Sequence, residues 1–393
     1  MKVTLDRHRL ARVNGKPFFL IGARHMPEGG TPRLLADAGF NGYRWMAYGG
    51  EAMKPDLLPP PEPGIFFWSY IFNRADFTKN PGHPRQLREL AAKLRHHPSF
   101  LCYENWNEPT LLYHSSRPKS EPENLAVGTH LLRRLDPDHP VWLAHCCSNT
   151  METLRRYNPC ANIIGCNPYP VVPPGIRRHI GFRADGKFLD CPDQSIHAVG
   201  KYTGKMLAVG RARKPVWMLI QAMAHENWYN EVHTPQYAGQ GVDRSMILYP
   251  THQQIRFMVF DAIVSGATGL AFAMYKTPVR GSAWKNICRV VSELRSLHDA
   301  LASPELPGTI RVSHRDLGFT IWEGVRVLAR RLGNQIFVFA VNTSFDPAEA
   351  TIHLPLKSPG TIQRVGERGR LTIRHGSFTD SFGPYGVRVY RIG

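Results

Sequence analysis

The chain has 393 residues, of which 42 % are hydrophobic, 10 % aromatic and 20 % charged. That is enough apolar surface for a packed core and excludes a globally disordered chain. Mean hydropathy is −0.30, and no apolar run approaches the roughly 18 residues of a membrane helix. Forty-nine Lys and Arg against 31 Asp and Glu leave a net charge of +18. The basic residues come as scattered pairs, such as Arg133-Arg134, Arg177-Arg178 and Arg330-Arg331, not as a block or a basic helix. Nucleic acid and membrane are therefore not expected partners; a basic surface or an anionic ligand is.

Residues 1–6 show no apolar segment behind the basic one. The expectation is a cytoplasmic protein, or a secreted or periplasmic one whose signal has been removed. Seven cysteines are an odd number without CxxC spacing, and the vicinal pair in His145-Cys146-Cys147 would point to opposite faces of a strand, so no metal site is expected. Walker, GxGxxG, HExxH and GxSxG motifs are absent from the sequence, so no cofactor is expected either.

In chain order, residues 3–19 read as a hairpin turning at Asn14-Gly15. Eight short apolar runs follow, at 18–23, 42–47, 65–71, 101–106, 141–145, 162–166, 216–221 and 269–275. Amphipathic stretches separate them, with helices expected at 32–38, 84–95 and 254–264. Alternating strands and helices in this number predict a (β/α)8 TIM barrel over 1–305. The proline-rich stretch 48–64 and the long loop 168–194 both follow strand ends, where a barrel builds its active face. After a helix near 290–302 the period changes to alternation, clearest at 335–342 and 386–390, which predicts a C-terminal β-sandwich over 306–393. In that module Trp322 and Tyr385 suit interdomain packing better than ligand binding.

The most informative segment is Leu101-Cys102-Tyr103-Glu104-Asn105-Trp106-Asn107-Glu108-Pro109. On an extended strand Glu104, Trp106 and Glu108 share one face, sending two carboxylates toward the barrel mouth. Burying two acids is costly without partners or a proton-transfer task, and Arg44, inside its own apolar run, is a candidate counter-charge.

Tyr103-Glu104-Asn105-Trp106-Asn107-Glu108-Pro109 resembles the strand-four signature of clan A glycoside hydrolases, especially the cellulase- and mannanase-like families. Asn14-Gly15-Lys16-Pro17-Phe18-Phe19-Leu20-Ile21-Gly22, Ala38-Gly39-Phe40-Asn41-Gly42-Tyr43-Arg44, Asn167-Pro168-Tyr169 and Pro215-Val216-Trp217 resemble their first, second, sixth and seventh strands. The resemblance implies a glycosidase acting on an oligo- or polysaccharide. Glu108 would be general acid/base, Asn107 would hold the sugar 2-hydroxyl and Arg44 would orient a carboxylate. Aromatics near strand ends (Trp45, Tyr48, Trp68, Tyr70, Tyr169, Trp228 and Tyr275) would be candidate sugar platforms, and His25, His145 and His225 candidate hydrogen-bonding groups.

One departure bears on mechanism. Where the clan carries its nucleophilic glutamate at the end of strand seven, this chain has Gln221, a weak nucleophile. Four explanations stand. Glu226 supplies the second carboxylate; a substrate acetamido group attacks, with Asn107 or Gln221 orienting it; Gln221 or Ala222 is an introduced substitution; or the barrel is a non-catalytic carbohydrate-binding pseudoenzyme. The loop acids Glu51, Asp190 and Asp193 are further candidates.

Overall fold

A computed structural model describes residues 1–46, 48–49, 52–53, 58–111, 117–172, 195–225, 248–315, 323–356 and 360–393. The eight apolar runs form eight parallel strands: Leu20–Ala23, Gly42–Met46, Phe66–Tyr70, Phe100–Glu104, Val141–His145, Ile163–Cys166, Trp217–Gln221 and Gly269–Ala273. Each pairs with its predecessor up to the sixth, the eighth pairs with both the seventh and the first, and a parallel bridge between Ile164 and Val216 joins the sixth to the seventh. The sheet is therefore a closed (β/α)8 barrel.

Strand alternation divides the side chains between two cores. On the seventh strand Met218 and Ile220 join the layer shared with the helices, whereas Trp217 and Leu219 join the barrel interior. Three indoles, Trp68, Trp142 and Trp217, fill that interior edge to face, each neighbouring pair of ring centroids 5.6 Å apart. They fit because glycines stand opposite. A Cβ on Gly269 would sit 2.6 Å from the Trp217 ring, and one on Gly22 would sit 3.0 Å from the Trp68 ring. Large beside small is how a barrel of this size reaches interior density.

The expected helices appear as Pro32–Asp37, His83–Leu94 and His252–Val264. Thr31 caps the first through the Leu34 N–H, and Thr251 with Gln254 forms a capping box on the third. His83–Leu94 buries Leu87, Leu90, Ala91 and Leu94, the three- and four-residue spacing of one helix face, each leucine contributing about 1.5–3 kcal/mol. The stretch expected at 290–302 is two helices, Ser282–Ser296 and His298–Leu301.

The N-terminal hairpin carries one strand more than expected: Val3–Leu5, Ala11–Val13 and Lys16–Phe18 form a three-stranded antiparallel sheet. Its turn is Asn14-Gly15, with φ of 49° and 79°, the two left-handed residues of a type I′ turn. Val3, Ala11, Val13 and Phe18 pack under the barrel indoles and form the floor. The C-terminal module has a three-stranded sheet (Arg311–His314, Ala348–His353, Ser377–Phe382) and a five-stranded one (Val325–Leu332, Gln335–Asn342, Val387–Ile392, Gly360–Arg364, Arg370–Ile373). Both are antiparallel and enclose their own core, as a sandwich does. Phe339 stacks on Phe260 of the barrel and Tyr385 sits edge-on to Phe257, so Tyr385 is packing between the two parts. Among the described residues no helix is long and apolar enough to cross a membrane.

Candidate active site

The fourth strand ends at Glu104, which is fully buried. Its carboxylate receives Arg24 Nη1 at 2.9 Å and Arg44 Nε at 3.2 Å, and the Trp68 indole donates at 2.8 Å. A carboxylate with no exposure survives because two guanidiniums and an indole replace its hydration. Arg44 is thus the counter-charge foreseen from its place in an apolar strand, and it lies 4.0 Å over the Tyr70 ring. Burial works to lower the Arg44 pKa, with Glu104 opposing it.

The expectation that Glu104, Trp106 and Glu108 share a strand face is corrected. Beyond Glu104 the chain leaves the extended conformation, since the Asn105 amide is drawn to the Thr129 hydroxyl and the Cys160 carbonyl. Trp106 consequently packs beside the segment after the third strand. Glu108 follows with φ of 49°, in the left-handed region that non-glycine residues seldom occupy.

Glu108 is 6 % exposed. Asn167 Nδ2 donates to one of its carboxyl oxygens at 3.0 Å and Asn107 Nδ2 to the other at 3.3 Å. Asn107 is itself held on three sides: Arg24 Nη2 donates to its side-chain oxygen at 2.9 Å, Lys119 donates to its carbonyl at 3.1 Å, and its N–H reaches the Tyr70 hydroxyl at 3.4 Å. Arg24 therefore ties the Glu104 ion cluster to the segment carrying Glu108. Burial depresses the Lys119 pKa against the pull of Glu108. Burial, reinforced by Glu108, pushes the Cys146 thiol up to about 12. Tyr169 is raised for the same first reason, with Arg24 opposing, and its hydroxyl meets the Asn167 side chain.

Gln221 ends the seventh strand, but both ends of its amide are occupied. Its oxygen accepts from the Val171 N–H at 2.8 Å and its nitrogen donates to the Val171 carbonyl at 2.6 Å, stapling the segment after strand six to strand seven. His25 and Tyr275 follow the first and eighth strands and meet edge to face at 5.7 Å. Burial holds the His25 pKa well below its ordinary value, and Arg44 and Arg24 add to this.

Other candidates lie elsewhere. Trp45 alternates onto the helix-facing side, edge-on to Phe67 at 5.7 Å, and Trp68 is buried beneath Glu104, so neither presents a ring to the mouth. His145 also faces the helices, edge-on to Tyr157, and burial lowers its pKa to about 3. His225 is buried just beyond the seventh strand. Glu226, Trp228, Glu51, Asp190, Asp193 and Trp322 lie outside the described residues, as does the side chain of Tyr48. Among the described residues no three His, Cys, Asp or Glu are grouped to hold a metal ion.

Three contributors were not singled out from the sequence. Arg24 directly follows an apolar run at a barrel strand's C-terminal end, a position the sequence shows as plainly as it shows Arg44 inside its run. Asn167 stands at the corresponding place after strand six. Lys119 lies in a polar loop with no local signal.

No protein-family model matches this chain, and no curated protein matches it. Solved structures do. They include a β-galactosidase from Bacillus circulans sp. alkalophilus, with a TM-score of 0.60 at 9 % identity, covering 96 % of this chain and 99 % of that one. A putative α-galactosidase from Bacteroides fragilis scores 0.51 at 11 % identity, covering 96 % and 79 %. A glycoside hydrolase family 30 subfamily 8 xylanase from Clostridium acetobutylicum scores 0.50 at 11 % identity, covering 96 % and 97 %. At such identities the likeness is one of fold, a TIM barrel with a C-terminal β-sandwich, shared with enzymes that act on glycosides.

Proposed function

We propose that this chain is a glycosidase that cleaves O-glycosidic bonds of an oligo- or polysaccharide with Glu108 as general acid/base. The observation that carries the reading is the way Glu108 is held. A non-glycine residue is kept in the left-handed region, at a cost of order 1–3 kcal/mol, with each carboxyl oxygen gripped by a separate amide. In the reaction Glu108 would protonate the glycosidic oxygen and then take a proton from water. Asn107 would meet the sugar 2-hydroxyl, and the Arg24 and Arg44 pair on Glu104 would keep Asn107 in place. His25, Tyr275 and Tyr169 would line the sugar site.

The second carboxylate is assigned to Glu226, next after His225, with attack by a substrate acetamido group as the variant. Gln221 is assigned a positioning role, since its amide is spent on Val171. Substituting Glu108→Gln is expected to abolish release of reducing ends from a polysaccharide panel; full retention of rate would overturn the mechanism. The second reading, a carbohydrate-binding pseudoenzyme, is favoured by the same occupied Gln221 amide, and saccharide binding by the unmodified protein without product would establish it.

A further inference from the structure

The peptide unit joining Asn107 to Glu108 is clamped at both ends. Its carbonyl, that of Asn107, accepts Lys119 Nζ at 3.1 Å. Its N–H, that of Glu108, donates to the Ala144 carbonyl of the fifth strand at 2.8 Å. On the other side of the Glu108 Cα, the Glu108 carbonyl accepts the Leu111 N–H at 3.0 Å. The left-handed φ of 49° is the rotation that relates these two fixed peptides, so the groups that hold them also aim the Glu108 side chain. Two of the three bonds run backbone to backbone. The third comes from a lysine side chain 12 residues after Asn107.

Lys119 is itself braced. Its neighbour Ser120 donates its N–H to the Pro109 carbonyl at 3.2 Å and its hydroxyl to Asp76 at 2.6 Å, and its carbonyl accepts the Tyr157 hydroxyl at 2.7 Å. Residues 119–120 are thereby tied back onto 107–109 and anchored to the segment after the third strand and to the end of helix Met151–Arg156. Lys119 is half-buried; burial works to lower its pKa, and Glu108 pulls the other way. An ammonium partly withdrawn from water holds a carbonyl more firmly than a neutral donor would. It also sets a positive charge near the carboxyl that becomes an anion once its proton has passed to the leaving oxygen.

We propose that Lys119 is a positioning residue for proton transfer by Glu108: bonded to the Asn107 carbonyl, it fixes the peptide plane that aims the Glu108 carboxyl at the glycosidic oxygen. The inference rests on the glycosidase reading and adds to it a group acting through the backbone, where Arg24 acts on the Asn107 side chain.

The test compares the full-length unmodified protein with Lys119→Met, which keeps an unbranched stem and loses the ammonium, and with Lys119→Arg, which keeps a cationic donor. The substrates are 4-nitrophenyl α- and β-glycosides of glucose, galactose, mannose and xylose, and cellulose, mannan, xylan and galactan followed by reducing-end release. On whichever is turned over, Lys119→Met is expected to lower kcat about tenfold or more with KM changed less than about threefold, because a misaimed proton donor weakens the transition state and not the bound substrate. Lys119→Arg is expected to restore kcat to within about threefold of the unmodified protein. If Lys119→Met fails to fold by circular dichroism, Lys119→Gln is read in its place by the same criteria. An unchanged kcat, an effect confined to KM, or equal kcat losses in the neutral and arginine variants overturns this inference and leaves Glu108-dependent turnover standing. No product from any substrate with the unmodified protein overturns the glycosidase reading and this inference with it.

Discussion

Replacing Glu104 by Gln keeps the volume and removes the charge that two buried arginines share. The carboxylate pairs with Arg24 at 2.9 Å and Arg44 at 3.2 Å and accepts a hydrogen bond from the Trp68 indole at 2.8 Å. An amide oxygen can keep the indole bond, but a neutral amide offers no charge to either guanidinium and turns its NH2 end toward one of them. Each hydrogen bond to a charged group is worth about 1.5–3 kcal/mol, and leaving one side of a buried pair uncompensated costs about 3–5 kcal/mol. The expected loss for Glu104→Gln is therefore about 3–5 kcal/mol. It is read as a lower urea midpoint at unchanged slope, followed by near-ultraviolet circular dichroism. The loss is expected to persist in about 0.5 M salt, because a cluster whose three side chains are 0 %, 4 % and 9 % exposed is screened little. A loss under about 1 kcal/mol would refute the reasoning, for it would mean that the guanidiniums find water or another anion when Glu104 is neutral.

Two further outcomes concern packing and pH. Gly165→Ala drives a Cβ into the Trp217 carbonyl and is expected to cost about 1–3 kcal/mol or more through backbone displacement; an unchanged urea midpoint would show that the sixth and seventh strands separate freely. Burial works to lower the His197 pKa, but Asp261 and Glu323, each at 3.0 Å, outweigh it and hold it above the ordinary value. The stabilisation from protonated His197 is thus complete below about pH 6.5 and lost as pH rises through the raised folded-state value. The stability gap between the unmodified protein and His197→Gln is expected to narrow as pH rises above about 6.5, and a gap that widens would reverse the assignment.

The barrel was legible in the sequence because its physics is local. Each buried strand must be a short apolar run, each helix must carry an apolar stripe, and glycine or proline must punctuate between them, so all eight runs are strands within a few residues of their expected bounds. The sandwich announced itself likewise, through the alternation at Gln335–Asn342. Asn14-Gly15 named its own turn, because few residue pairs tolerate two left-handed conformations. Arg44 was readable as a counter-charge because an arginine in an apolar strand must meet an acid.

Tertiary structure alone decided the rest. The extended pattern put Trp106 and Glu108 on the face of Glu104, but Asn105 found Thr129 and Cys160, far along the chain, and the backbone turned away. Strand parity sent Trp45 to the helices and Arg44 to the axis, although the two are adjacent in one strand. Gln221 stands where its sequence position suggested, yet its amide is spent on Val171, a partner 50 residues away. A sequence records which groups need partners; which partner each one finds is settled by the strand order and stagger that closure of the barrel imposes.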